Sequence, residues 1–305
     1  MSYSYFAFGL CICSDLELPE CVSSPPGAGL TPDVEISLGP VPEALKGGRK
    51  VFSYMEVGSN QCLLSIPDTA RYLIEGGNRI HIQLAPNAQD YAVRAYLLGS
   101  AIGTILHQRR LLPIHMSAVA TPRGIVGFAG PSGGGKSTIA AALHVKEGST
   151  ILTDDLAIVE PSGTNLRLLT GIRRLRLWLD AVAELNLEGR DKSRVVARAN
   201  KFQFDMVETK SEHRELQLRA LVLLNKGQRH SIERLTGVEA FSALRSAIYR
   251  PDLAEFFNDN ATVFRHLSLI AQRVSVYRLT RPFTEGSLAA SVRQVKHHVY
   301  RKEFY

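Results

Sequence analysis

The sequence predicts an α/β fold, with a β-rich N-terminal module over residues 1–86 and an α/β core over 87–305. Three observations carry this reading. Residues 3–86 form short strand-like runs separated by turn chemistry; beyond residue 110 apolar runs alternate with helical patterns; and one of those runs leads straight into a glycine-rich loop followed by a helix. The 305 residues suffice for a large core, and 45% hydrophobic with 21% charged content argues against disorder. No internal repeat or low-complexity linker interrupts the pattern.

In the N-terminal module, SPPGAG, LGPVP, LKGGRK and EGGNR break up the runs DVEISL, RYLIE and RIHIQL. The pattern changes over 90–110, where Val93, Leu97, Ala101 and Ile105 recur every fourth residue, Asp90 is available as a cap, and Arg109 and Arg110 stand at the carbonyl end. This predicts one long, mostly buried helix that Pro113 prevents from continuing. IHMSAVA and GIVGFAG follow as two runs joined by TPRG. After the glycine loop, STIAAALHVKEG reads as a helix closed by Gly148, and TILTDDLAIVE as a strand interrupted or ended by a pair of aspartates. Further on, LQLRALVLL is a buried strand, GVEAFSALRSAIY and PDLAEFFNDNATVFRHLSLIAQR are helical, SVYRL is a short strand and the tail is helical.

The 36 Lys+Arg against 29 Asp+Glu give +7, compatible with phosphates, an acidic peptide or nucleic acid. The densest basic run, RQVKHHVYRK, has no interleaved aromatic beyond Tyr300 and fits the solvated face of a terminal helix, so nucleic acid is not an expected partner. Cys11, Cys13, Cys21 and Cys62 form no C-x-x-C pair, and no histidine precedes His81, which argues against a zinc site. MSYSYFAFGLCIC lacks a positively charged n-region. YAVRAYLLGSAIGTIL carries Arg94 and falls short of the ~20 residues of a membrane span. A cytoplasmic protein with reduced thiols and no membrane association is expected.

The stretch GFAGPSGGGKSTI admits two readings. Gly130, Ser132 and Gly134 spell G-x-S-x-G, the elbow of a serine hydrolase; Gly130, Gly135, Lys136 and Ser137 spell G-x-x-x-x-G-K-S, a phosphate loop. A hydrolase elbow has no use for Gly135, Lys136 and Ser137, whereas a phosphate loop needs inward amides, a lysine for the terminal phosphates and a hydroxyl for Mg²⁺. Gly130, Pro131, Ser132, Gly133, Gly134, Gly135, Lys136, Ser137 and Thr138 are accordingly expected to bind nucleotide. No downstream SGGQ signature marks a translocating ATPase. In LVLLNKGQ, Gln228 stands where a guanine-reading aspartate belongs.

Asp154 and Asp155 close the run TIL, which places two carboxylates at the carboxyl end of a strand beside the loop. One of them, assigned to Asp155, is expected to join Ser137 on Mg²⁺, while a carboxylate of the pair accepts the proton of an attacking hydroxyl; the plainer alternative has Asp154 only turning the chain. His115 lies 21 residues before Lys136 on a strand next to the loop's own strand. A lone histidine there is more often a satisfied core residue, but the position makes it a candidate neighbour of the phosphates or aspartates.

At these residues the chain resembles the HPr kinase/phosphorylase family, of PEP carboxykinase-like type: His115, GPSGGGKS from Gly130 to Ser137, and Asp154-Asp155 stand in that family's order. The resemblance implies a P-loop kinase core using ATP and Mg²⁺, with His115, Lys136, Asp154 and Asp155 catalytic. Two departures stand out. Thr138 replaces an acidic residue after G-K-S, and TGIRRLRLWLD holds no Glu where the family's signature has one, which leaves kinase rather than phosphorolysis as the implied activity. YFAFGLCICSDLELPE, DVEISLG, HQRRLLPIH and RLRLW are similar to the compact HPr-kinase-like enzymes of lasso-peptide biosynthesis. That likeness implies a precursor peptide as partner, phosphorylated on its C-terminal serine, and the family's homo-oligomers imply self-association. Other acceptors, an HPr-like protein or a small alcohol, stay open, as does a nucleotide-sensing module without transfer. Arg173, Arg174 and Arg176 are candidates to clamp phosphate or a peptide carboxylate, or else alternate toward solvent on a strand, and Lys201 is a weaker candidate of the same kind.

Overall fold

A computed structural model describes residues 2–24, 31–172, 174–189, 193–194, 200–205, 217–284 and 286–300. Among these residues the strands form four sheets. The first has nine strands in the order Val22–Ser23, Tyr3–Ala7, Leu10–Ser14, Val34–Leu38, Arg79–Leu84, Ala70–Glu75, Gln61–Ile66, Met55–Gly58 and Arg49–Phe52. Alternation decides its faces: along Ala70–Glu75 every second side chain is buried. The EGGN turn closes a tight hairpin with Glu75 opposite Arg79, and Gly76 and Gly77 adopt the positive φ that such a reversal demands. Leu10–Ser14 and Val34–Leu38, and again Val34–Leu38 and Arg79–Leu84, pair in parallel.

The expected helix crosses this sheet as Asp90–Tyr96, a π-helical turn Leu97–Ala101, and Ile102–Gln108. Val93, Leu97, Ala101 and Ile105 are all buried in one core with Ile12, Val34, Tyr72 and Ile80, as the every-fourth spacing requires. Leu156, Ile172 and Leu253 join the same cluster, so this core runs across the sequence division at 86/87. The helix ends at Gln108, before Pro113, and just past it the left-handed φ of 60° at Arg110 lets Leu111 N–H turn back to Leu106 O.

The second sheet has six strands in the order Thr150–Thr153, Met116–Thr121, Gly124–Ala129, Leu218–Lys226, Ser275–Arg281 and Ser231–Leu235. Gly124–Ala129, Leu218–Lys226 and Ser275–Arg281 are parallel, which brings their carboxyl ends, Ala129, Lys226 and Arg281, to one edge. Every residue of Met116–Thr121 and Gly124–Ala129 is buried, as expected of strands covered on both faces. Lys136–Glu147 and Ser287–Val295 share a core with one face, and Gly237–Ser246 and Asn260–Arg273 with the other.

Two expected single runs each divide between sheets. IHMSAVA parts at His115: Pro113–Ile114 joins Ala157–Ser162 and Asn165–Leu169 in a small three-stranded sheet, while Met116–Thr121 enters the six-stranded one. TILTDDLAIVE parts at the aspartates, with Thr150–Thr153 in the six-stranded sheet and Ala157–Ser162 in the small one. Both segments change sheet at the same level, which sets His115 beside Asp155. A fourth sheet holds Arg174–Trp178, Lys201–Asp205 and Ser193–Arg194. No helix among the described residues is long and apolar enough to cross a membrane, and Cys11, Cys13, Cys21 and Cys62 form no disulfide.

Candidate functional site

The glycine loop links the strand Gly124–Ala129 to the helix Lys136–Glu147. Gly130, Gly133 and Gly135 have φ of 143°, 78° and 88°. Gly130 also leaves no room, since an added Cβ would lie 2.8 Å from Leu224 O on the adjacent strand. The turn delivers Lys136 at the start of the helix, 6% exposed, with its ammonium donating to Gly130 O at 2.9 Å and Pro131 O at 3.0 Å. Burial lowers its pKa, and the fields of Asp155 and Asp154 work in the opposite direction.

The two aspartates are placed differently. Asp154, 2% exposed, lies beneath the loop: Oδ1 accepts from Ser117 Oγ at 2.6 Å and Ser137 Oγ at 2.7 Å, and Oδ2 from the Arg176 N–H at 3.0 Å. Burial, reinforced by the charge of Asp155, raises its pKa against the pull of those donors. Asp155 has a left-handed φ of 83° that turns its carboxylate, 29% exposed, the other way. There Oδ1 is 3.8 Å from His115 Nε2 and Oδ2 is 3.7 Å from Arg176 Nη1. Burial alone would raise its pKa, but contact with His115 and the charges of Arg174 and Arg176 overcome that and hold the carboxyl well below its ordinary range. Arg176 itself is lowered to about 10, by burial and then by its neighbour Arg174.

His115, Lys136, Ser137, Asp155 and Arg176 line a single cavity of about 510 Å³. Of the remaining loop residues, Ser132, Gly133, Gly135 and Thr138 also face it, while the carbonyls of Gly130 and Pro131 secure Lys136 and Gly134 N–H closes on Pro131 O at 3.0 Å. No histidine or carboxylate hydrogen-bonds Ser132 among the described residues, so the parts of a hydrolase elbow are not assembled there. Ser137 meets Asp154 rather than Asp155, the aspartate that the sequence pairs with it on a metal.

Alternation along Arg174–Trp178 puts Arg174, Arg176 and Trp178 on one face, with Leu175 and Leu177 in the core behind. Neither arginine fans out to solvent: Arg176 faces the cavity, and Arg174 is 1% exposed with no hydrogen-bond partner for Nε, Nη1 or Nη2. Arg173 lies outside the described residues. Lys201 lines the cavity with its ammonium over the Trp178 ring, 5.6 Å from the centroid.

The sequence reading misses Ser117, Trp178, Arg281 and Phe283, all of which serve or line this site. A signal exists for two of them. Ser117 is a hydroxyl inside a buried apolar run and requires a partner. Arg281 ends a core strand, and the carboxyl ends of parallel strands face the ligand crevice of α/β sheets. Nothing in the spacing of Trp178 or Phe283 marks them.

The donor set suits Mg²⁺ carried by phosphates. Ser137 and the aspartates offer hard oxygens, and no group of three or more His, Cys, Asp or Glu side chains among the described residues forms a metal cage.

No protein-family model matches the chain, and no curated protein does. Among solved structures it is similar to the Hpr(Ser) kinase/phosphatase from Coxiella burnetii, with 10% sequence identity and a TM-score of 0.28, over 62% of this chain and 97% of that one. A likeness of that size is too low to transfer residue roles.

Proposed function

We propose that this chain is an ATP- and Mg²⁺-dependent kinase that transfers the γ-phosphate to a serine hydroxyl. The observation that carries this reading is the division of labour between two adjacent aspartates: Asp154 is bound to Ser137 beneath the loop, while Asp155 faces the cavity it shares with Lys136 and His115. The glycine-loop amides at the start of Lys136–Glu147 and the Lys136 ammonium hold the phosphates. Ser137 and Asp154 hold Mg²⁺, which when bound supplies charge neutralisation across the terminal phosphates.

Asp155, kept ionised by Arg174 and Arg176, receives the acceptor's proton, and His115 orients it. The serine oxygen forms a bond to the γ-phosphorus as the bond from that phosphorus to the β–γ bridging oxygen breaks, and ADP leaves with the electron pair. A weak base suffices because phosphoryl transfer depends mainly on positioning and charge neutralisation.

A serine at the C-terminus of a precursor peptide is the acceptor we favour. Its hydroxyl is adjacent to a free carboxylate, and Arg176 and Lys201 line the cavity where that carboxylate would sit. Incubation with γ-labelled ATP and, in parallel, peptides ending in serine, in serine amide or in alanine, an HPr-like protein and a small alcohol tests this. Label on the free-acid serine peptide alone is expected; label on an HPr-like protein or a small alcohol would replace the acceptor, and nucleotide binding without transfer to any of them would overturn the kinase.

A further inference from the structure

Beside the glycine loop the cavity carries a cation that the mechanism above leaves unused. Arg281 is the last residue of Ser275–Arg281, two strands away from the strand that feeds the glycine loop. Its side chain lines the same cavity as Lys136 and Ser137, yet the residue is only 6% exposed. The guanidinium rests directly on Gly135: a Cβ built there would stand 3.3 Å from Cζ and closer still to Nη2. Glycine at 135 therefore leaves room for Arg281 as well as for the left-handed turn. The plane is steadied by Phe283, whose ring centroid is 4.6 Å from Cζ.

What Arg281 lacks is an anion. Its Nε is buried without a hydrogen-bond partner, and no carboxylate among the described residues forms an ion pair with it; Glu184, in the same cavity, acts on it only through its field. A cation withdrawn from water without a counter-charge is unfavourable. Lys136 differs, because its ammonium already donates to two loop carbonyls. A guanidinium with free donors, held against the amino end of a helix that itself attracts anions, is arranged for phosphate.

We propose that Arg281 is a phosphate-binding residue of this cavity, meeting the nucleotide's phosphates beside Gly135 at the end of the glycine loop. The inference rests on the nucleotide reading given above but not on phosphate transfer. A plug that merely supports the loop is the competing role, and it makes the opposite prediction for the ligand-free protein.

The full-length chain is titrated with MgATP and with inorganic tripolyphosphate, and its melting temperature is measured with and without each. Arg281→Met should weaken both ligands by about 10- to 100-fold, as expected for loss of a charge-assisted hydrogen bond. Arg281→Lys should recover only part, because a point charge cannot replace the planar fork. Without ligand, Arg281→Met should melt at or above the wild-type temperature, since an uncompensated cation has been replaced by an apolar chain of similar size. Unchanged tripolyphosphate affinity, or a lower ligand-free melting temperature, would overturn the assignment. Wild-type protein that binds both ligands and transfers no phosphate defeats the kinase and leaves Arg281 judged by the titration; wild-type protein that binds neither defeats both.

Discussion

The two large sheets bury ionisable groups in opposite ways. Around the nine-stranded sheet they are buried neutral: burial pushes the Cys62 thiol up to about 12, raises Tyr72 while its hydroxyl donates to Val93 O at 2.9 Å, and carries His107 down to about 4. The charged pair there, Glu20 and Arg94, is matched one to one at 3.2 Å. Around the glycine loop the buried groups are ionic and unevenly matched: Lys136, Asp154, Arg174 and Arg281 are each 6% exposed or less. Neutral polar groups in a core need only a hydrogen bond. Unmatched charges cost far more and persist where a charged ligand completes them.

The largest effect that breaks this contrast is expected at Asp155. Asp155→Asn removes the charge facing His115 and Arg176 while preserving size, and should lower transfer by about 10²- to 10⁴-fold. MgATP affinity should change by less than about fivefold, because the groups assigned to the nucleotide are intact. Single-turnover transfer and equilibrium titration separate the two quantities. Loss of nucleotide binding in step with transfer would make Asp155 a binding residue rather than the proton acceptor.

The contrast also explains what could be read from the sequence. The loop, Lys136 and Ser137 are consecutive because one strand–turn–helix unit presents them, and the aspartate pair ends the short apolar strand that follows that helix. Ser117, Trp178, Arg281 and Phe283 reach the same cavity from separate strands and loops, so no local spacing records them. The N-terminal strands are likewise legible one by one through alternation. Their order is not, because the parallel joins of Val34–Leu38 to strands on either side are non-local pairings that leave no trace in a short window. The separate roles of Asp154 and Asp155 depend on a single backbone torsion, φ 83° at Asp155, which two identical letters cannot show.

A smaller effect tests the neutral side. His107 Nε2 donates to Tyr249 O at 2.6 Å, and Nδ1 has no partner, so the folded protein holds the uncharged ring. Its pKa falls from 6.5 to about 4, chiefly by burial, with Arg250 adding to the fall against the Tyr249 bond. The folded value lies below the unfolded one. The contribution is therefore complete above pH 6.5 and is lost as pH falls toward 4, amounting to about 3 kcal/mol. Urea unfolding at pH 7 and pH 4.5 measures it. His107→Gln retains a donor and cannot titrate, so its stability should fall less between those values; an identical fall would place the acid sensitivity elsewhere.

The smallest effect is expected at Ser117, where a neutral group supports a charged one. Its hydroxyl is fully buried and donates to Asp154, whose pKa burial already raises. Ser117→Ala should destabilise the protein by about 1–2 kcal/mol through the lost bond to a buried acceptor. The pH dependence distinguishes this from lost packing. A group with a raised folded pKa contributes most when protonated, and that contribution disappears as pH rises through the folded value. Removing a donor to the ionised form raises that pKa further, so the deficit of Ser117→Ala relative to wild type should widen as urea titrations are carried from the ordinary carboxylate range upward through the pH range in which the protein is folded. A deficit that stays constant across that range would mean that Ser117 fills space and that Ser137 with the Arg176 amide is enough to hold the Asp154 charge.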